Sequence, residues 1–196
     1  MLSIRGICKS FEGRPVLENI SFDFPEAAVT ALRGPSGCGK TTLINIILGL
    51  LAPDEGEVLL PASARTAAVF QEDRLIEHFS AARNVRLTAP SSVTDGQIQE
   101  ALSELGLSQE GPKRVSEFSG GMRRRVAVIR AVLYQPQILL LDEPFKGLDE
   151  EMRAKTAAFL SRACARATIV LVTHDETEAA LMGAKAELCL GGKEET

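Results

Sequence analysis

The sequence lacks any apolar run long enough to cross a membrane as a helix. Its longest such stretches are Ile46–Ala52, which contains a glycine, and the four residues Ile169–Val172, against about 20 residues for a spanning helix. The first residues, Met1-Leu2-Ser3-Ile4-Arg5, hold no apolar segment of signal-peptide length, so the chain is expected to stay in the cytoplasm. Cysteine is scarce: Cys8, Cys38, Cys164 and Cys189 stand far apart, with no CxxC pair and no histidine cluster. That excludes a disulfide scaffold or zinc motif and leaves reduced thiols in or near the core as the expectation. An excess of positive charge is also missing. With 22 Lys and Arg against 26 Asp and Glu, the balance argues against a general nucleic-acid binder, which needs a basic face to neutralise phosphates, and leaves room for a local basic patch. No internal repeat, low-complexity tract or long linker interrupts the chain.

What is present fits a globular domain. The 196 residues are 45% hydrophobic and 24% charged, ordinary values for a chain that buries about 70% of its unfolded surface. At about 150 residues per domain, one domain or one domain with a lobe is expected. Short apolar bursts at Leu2–Cys8, Val16–Phe24 and Val29–Leu32 read as strands, with a turn at Glu12-Gly13-Arg14-Pro15. Lys40–Leu50 carries apolar residues at helical spacing (Leu43, Ile46, Ile47, Leu50) and stops at Ala52-Pro53-Asp54-Glu55-Gly56. Glu57–Leu60 and Thr66–Phe70 read as strands. From Leu75 to about Leu107 the pattern is helical, broken at Ala89-Pro90-Ser91-Ser92, with Thr94 or Asp95 as N-cap. A helix over Gly120–Tyr134, a buried strand over Ile138–Leu141, a helix over Glu150–Ala165, a strand over Thr168–Val172, a helix near Thr177–Leu181 and a strand over Glu187–Leu190 complete the order. Alternating strands and helices imply an α/β fold with a parallel sheet that binds ligands at the C-terminal ends of its strands. Residues from about 72 to 118 are expected to form a small helical lobe.

Three constellations carry chemistry. Gly34-Pro35-Ser36-Gly37-Cys38-Gly39-Lys40-Thr41 fits GxxxxGK[ST] between a strand and a helix. Glycines there let backbone N–H groups turn around a β-phosphate, and the helix N-terminus adds partial positive charge. Lys40 can reach the β- and γ-phosphates, and the Thr41 hydroxyl is the natural Mg²⁺ ligand. The second constellation is Ile138-Leu139-Leu140-Leu141-Asp142-Glu143-Pro144, an apolar strand ending in acids, where Asp142 faces the metal and Glu143 can polarise an attacking water. The third is Phe118-Ser119-Gly120-Gly121-Met122-Arg123-Arg124-Arg125-Val126. Taken alone it is a turn followed by a solvated helix start.

Order gives the third motif its meaning. A phosphate loop, Val69-Phe70-Gln71, Ser-Gly-Gly, Leu-Asp-Glu-Pro, Gly147-Leu148-Asp149 and Val172-Thr173-His174-Asp175 follow one another along nearly the whole chain. In this the sequence resembles the nucleotide-binding domain of ATP-binding cassette (ABC) transporters. The resemblance implies a P-loop NTPase cassette over residues 1–196, with a mostly parallel core sheet, an N-terminal antiparallel β region and a helical subdomain. Gly34–Thr42, including Thr42, would be the Walker A loop, with Asp142 the Walker B aspartate and Glu143 the catalytic glutamate. Gln71 would be the Q-loop glutamine that approaches Mg²⁺ and the attacking water. Ser119, Gly120 and Gly121 would be the signature that closes over ATP held by a second subunit. Asp149 would be the D-loop aspartate, His174 the switch histidine, and Phe11 the aromatic stacked on adenine. Two departures stand out: Phe118 and Met122 replace the usual Leu and Gln of the signature, and Lys146 stands where smaller residues are usual. His78 reads as a surface residue of the lobe.

The resemblance further implies ATP and Mg²⁺ as cofactors and a homodimer of cassettes. The membrane-spanning permease would be a separate chain, as is typical of importers, with an extracytoplasmic substrate-binding protein involved indirectly and no nucleic acid. The chain would then lie on the cytoplasmic face of the membrane, without room for a C-terminal regulatory domain. The stretch Val69–Phe79 is similar to that of nitrate-, sulfonate- and taurine-type importers. Two rival classes are a soluble ABC ATPase of repair or translation, which carries long insertions or tandem cassettes, and a P-loop kinase or GTPase. The latter has no use for Ser119–Gly121, and no guanine-reading NKxD sequence occurs.

Overall fold

A computed structural model describes residues 1–110 and 113–191; residues 111, 112 and 192–196 of the expected domain lie outside the described residues. Two sheets organise the chain. Strands β1 (Leu2–Phe11) and β2 (Arg14–Phe24) form an antiparallel hairpin, and β4 (Glu55–Leu59) adds antiparallel to the free side of β1. The second sheet is wholly parallel: β5 (Thr66–Val69), β6 (Ile138–Asp142), β7 (Thr168–Val172), β3 (Val29–Arg33) and β8 (Ala186–Cys189) lie side by side in that order.

Burial on both faces of this sheet explains why its central strands are continuously apolar. Ile138, Leu140, Val170 and Val172 point to one side, against Leu43, Ile44 and Ile47 of α1 (Lys40–Ile47) and Ile4 and Ile7 of β1. Leu139, Leu141, Ile169 and Leu171 point to the other, against α4 (Gly120–Leu133) and α5 (Glu150–Ala163). Period-two alternation along each strand thus fills two cores at once. The second core continues without a break into α2 (Ala81–Arg86) and α3 (Asp95–Glu104), through Val85, Ile98, Leu102 and Leu105. The last helix, α6 (Glu176–Leu181), leads into the edge strand β8.

Several boundaries differ from the sequence expectation. Helix α1 stops at Ile47 instead of Leu50, because Gly49 takes a left-handed conformation (φ 70°) and Leu50 is 62% exposed. Residues 75–80 are not helical. The fully buried Asn84 holds them instead: its Oδ1 accepts from the Ile76 N–H, and its Nδ2 donates to the carbonyls of Ile76 and Ser80. Ser80 then caps α2, and Thr94 caps α3 in a reciprocal box with Gln97. Of the cysteines, only Cys164 is in the core, where burial pushes its thiol up to about 11; Cys8 and Cys38 are half-buried and Cys189 is exposed. Among the described residues no helix is long and apolar enough to cross a membrane.

Asn84 gives a direct test of how the 75–80 segment is held. Leaving buried backbone groups unpaired costs about 1–3 kcal/mol, so Asn84→Ala should lower the urea-unfolding free energy by ~2 kcal/mol. An unchanged unfolding midpoint would show that the amide does not support the segment.

Candidate functional site

Strand order and register place the expected site residues. β6, β7 and β3 are neighbours, and Asp142 pairs with Val172, which pairs with Leu32. One level row therefore runs across the C-terminal ends of three strands. The phosphate loop leaves this row after Arg33, Glu143 leaves it after Asp142, and His174 lies two residues beyond Val172. Gln71 follows β5, whose Val69 pairs with Leu141 one step below the row.

The loop itself is built around missing side chains. Gly39 caps α1 in a left-handed conformation (φ 97°), and a Cβ there would lie 2.8 Å from Leu17 Cδ2 and 2.9 Å from Val16 Cγ1. Packing of the hairpin against the loop thus requires glycine. Lys40 is buried, and its Nζ donates to the carbonyls of Gly34 and Pro35, both at 2.8 Å. This folds the ammonium back over the loop, where an incoming phosphate can replace the carbonyls as its partner. Phe11, 45% exposed at the end of β1, forms an open cleft of about 270 Å³ with Val16, Gly37, Gly39, Lys40, Thr41 and Thr42. A larger depression of about 560 Å³, lined by Arg33, Ala179, Lys185 and Glu187, contains none of the phosphate-loop residues. The chemistry of the loop outweighs that difference in size.

The acids meet the loop at its floor. The Thr41 hydroxyl donates to Asp142 Oδ2 at 3.1 Å. Asp142 is 4% exposed, and burial first of all holds its carboxyl above the usual range. The Thr41 hydrogen bond and the charges of Lys40 and Arg124 partly offset that, while Glu143 adds to it. A buried carboxylate that lacks full compensation, beside a hydroxyl, is a hard-oxygen pair suited to a small divalent cation such as Mg²⁺. Glu143 turns out of the sheet with φ 50°, its N–H donating to the Val172 carbonyl. One of its oxygens, Oε1, lies 3.7 Å from His174 Nε2, and the other, Oε2, lies 3.3 Å from Lys146 Nζ.

The remaining expected residues lie further out. Ser119 caps α4, accepting from the Met122 N–H, and Asp149 caps α5, accepting from the Met152 N–H. Gly121 needs to be small: a Cβ there would lie 2.8 Å from the Gly147 carbonyl oxygen. Both signature departures have a packing reason, since Phe118 is buried and Met122 packs against the same core. The Gln71 side chain is exposed, and its carbonyl accepts from the Arg124 guanidinium. His78 is exposed, edge-on to Phe79.

Arg124 was missed in the sequence, where Arg123–Arg125 reads as solvated. It is 4% exposed; its guanidinium donates to the carbonyls of Phe70 and Gln71 and lies 3.3 Å from an Asp73 oxygen. Arg123 reaches Asp73 and Glu77, and Arg130 donates to the carbonyls of Asp73 and Arg74. The available signal was helical period: Arg124, Ala127, Val128 and Ala131 share one buried face of α4.

A phosphate loop at a β3–α1 junction, beside an acid-tipped parallel strand, defines a P-loop nucleotide-binding fold. The chain belongs to the ABC transporter family, whose model matches residues 17–146. It is 35% identical to the Fe(3+) ions import ATP-binding protein FbpC 3 of Rhodococcus jostii, over 98% of this chain and 60% of that protein. The aliphatic sulfonates import ATP-binding protein SsuB 1 of Streptomyces avermitilis is 39% identical over 91% of this chain and 69% of its own length. The chain thus spans little more than half to about two thirds of these relatives. Among solved structures, the ATP-binding cassette MJ0796, in a dimeric post-hydrolysis state with ADP and Pi, superposes with a TM-score of 0.86. The match has 25% identity and covers 97% of this chain and 94% of that one.

Two substitutions probe the floor of the site. Charge-assisted contacts to phosphate are worth about 1.5–3 kcal/mol, so Lys40→Ala should weaken ATP binding about tenfold or more by calorimetry. Asp142→Asn removes a charge whose burial is costly, so the melting temperature without ligand should hold or rise. The Mg²⁺-dependent part of the stabilisation by ATP should be lost. A variant that retains full Mg²⁺-dependent stabilisation would remove Asp142 from the metal side.

Proposed function

We propose that this chain is the ATP-hydrolysing subunit of an ABC transporter, binding Mg-ATP between two cassettes and driving a separate membrane permease. The observation that carries the reading is the level row across β3, β6 and β7, which brings Thr41 to Asp142 and His174 to Glu143 beside the loop that holds Lys40 and so supports one shared phosphate position. In this reading Phe11 stacks on the adenine, and Gly34–Thr42 wraps the phosphates with backbone N–H groups. Lys40 exchanges its carbonyl partners for phosphate oxygens. Thr41 and Asp142 would hold Mg²⁺, with Gln71 nearby as a further ligand candidate; the ion, when bound, would neutralise charge developing on the phosphates. Glu143 takes the proton of the attacking water, and His174 faces the γ-phosphate.

Neither Ser119 nor Asp149 has a task at the nucleotide cleft within one chain beyond capping a helix. Ser119 is exposed at the N-terminus of α4, where backbone N–H groups can receive an anion, whereas Asp149 is exposed at that of α5, whose first turn is acidic. A second copy of the chain, which presents Ser119–Gly121 to the ATP of the first, gives them one. The dimeric cassette MJ0796 supports this arrangement. The relatives named for import of Fe(3+) ions and of aliphatic sulfonates support an import role. In this reading the chain lies on the cytoplasmic face of the membrane against its permease, the substrate is a small molecule or anion, and an extracytoplasmic binding protein takes part indirectly. Residues 72–118 act in this reading as the lobe that meets the permease.

Glu143→Gln keeps shape and removes the base, so ATP should remain intact and hold two chains together. Light scattering should show a dimer with ATP and a monomer without; a tight dimer without nucleotide would contradict the sandwich. The docking surface can be tested separately. Ile76 is 36% exposed, whereas Leu75 is buried and the Phe79 ring is covered by Arg83 at 3.8 Å. Ile76→Asp alone should therefore abolish co-purification with the permease while ATP affinity holds.

A further inference from the structure

Lys146 is exposed, and the structure brings its ammonium to the carboxylate of Glu143. Glu143 begins in a left-handed conformation, pinned by its N–H to the Val172 carbonyl. The Lys146 N–H donates to the Glu143 carbonyl at 3.3 Å, which closes a tight turn and sends both side chains out together. Lys146 Nζ comes to 3.3 Å from Glu143 Oε2, while Oε1 is left on the side of His174 Nε2, 3.7 Å away. The turn is backed by α4, since the Gly147 carbonyl lies against Gly121.

We propose that Lys146 is a positioning residue for hydrolysis: its ammonium holds one oxygen of Glu143 so that the other faces the γ-phosphate side. This rests on the reading of Glu143 as the base. The lysine side chain is 59% exposed and that of Glu143 26%, so the pair adds little to folding stability. Its effect lies in orientation. A glutamate has three rotatable side-chain torsions, and a base that must meet a water within hydrogen-bond reach loses rate when its carboxylate wanders. A cation on Oε2, anchored three residues away in a closed turn, removes that freedom without blocking Oε1.

Steady-state ATP hydrolysis by the full chain tests the assignment, with Glu143→Gln as the zero of activity. Lys146→Gln should lower kcat about fivefold, the size expected of a partly exposed ion pair, with KM for ATP and the melting temperature unchanged. Lys146→Arg, which keeps the charge, should restore most of kcat. An unchanged or higher kcat in Lys146→Gln overturns the proposal, as does a loss confined to KM, which would mean direct contact with nucleotide. Failure of arginine to rescue overturns it too. Wild-type chain no faster than Glu143→Gln would instead overturn the ATPase reading itself, and the positioning role with it.

Discussion

Everything at the site depends on three parallel strands ending at one level. Parallel pairing of β6 with β7 and of β7 with β3 fixes Asp142, Val172 and Leu32 in a row. The chain can leave a parallel strand only through a crossover, so each strand end becomes a loop on the same rim. Three loops far apart in sequence therefore converge on one rim because of strand pairing below them. The side-chain contacts across the row, from the Thr41 hydroxyl to Asp142 and between Glu143 and His174, follow from that convergence.

Convergence also concentrates charge where water is scarce. Lys40, Asp142 and Arg124 are all nearly buried, and isolated buried charges are costly. Each has a different solution. Lys40 donates to two loop carbonyls, Arg124 to two carbonyls and Asp73, and Asp142 accepts from Thr41. Burial holds the Asp142 carboxyl above its usual range, and the Thr41 hydrogen bond offsets only part of that. Incomplete compensation of an acid beside a phosphate loop is what a metal-bound nucleotide can complete.

Arginines of α4 bind the segment after β5 to the helix that starts at the signature. Arg123, Arg124 and Arg130 together hold Phe70 through Glu77. Gln71 and Ser119, placed on different loops, are thereby parts of one packed unit. A displacement of that helix would carry the glutamine segment with it, a physical basis for coupling the nucleotide to the lobe.

Sequence alone determined the fold class and the phosphate loop. Strand and helix periods, glycine spacing and acids at a strand end are local signals that survive in one dimension. It also narrowed the α3 cap to Thr94 or Asp95, of which the structure uses Thr94, and located α4 almost to the residue. The end of α1 and the course of residues 75–80 were decided by tertiary contacts: Leu50 finds no core to enter, and Asn84 supplies the hydrogen bonds a helix would have made. The contacts of Arg124 were likewise invisible, since a charged residue in a run of charges reads as solvated, and Lys146 stood out in the sequence without any sign of its contact with Glu143. Only pairing across 50 or more residues put one guanidinium against the Phe70 and Gln71 carbonyls, and only the left-handed turn at Glu143 brought the Lys146 ammonium back to its carboxylate. Local chemistry is written along the chain, whereas burial and close approach exist only after the strands have paired.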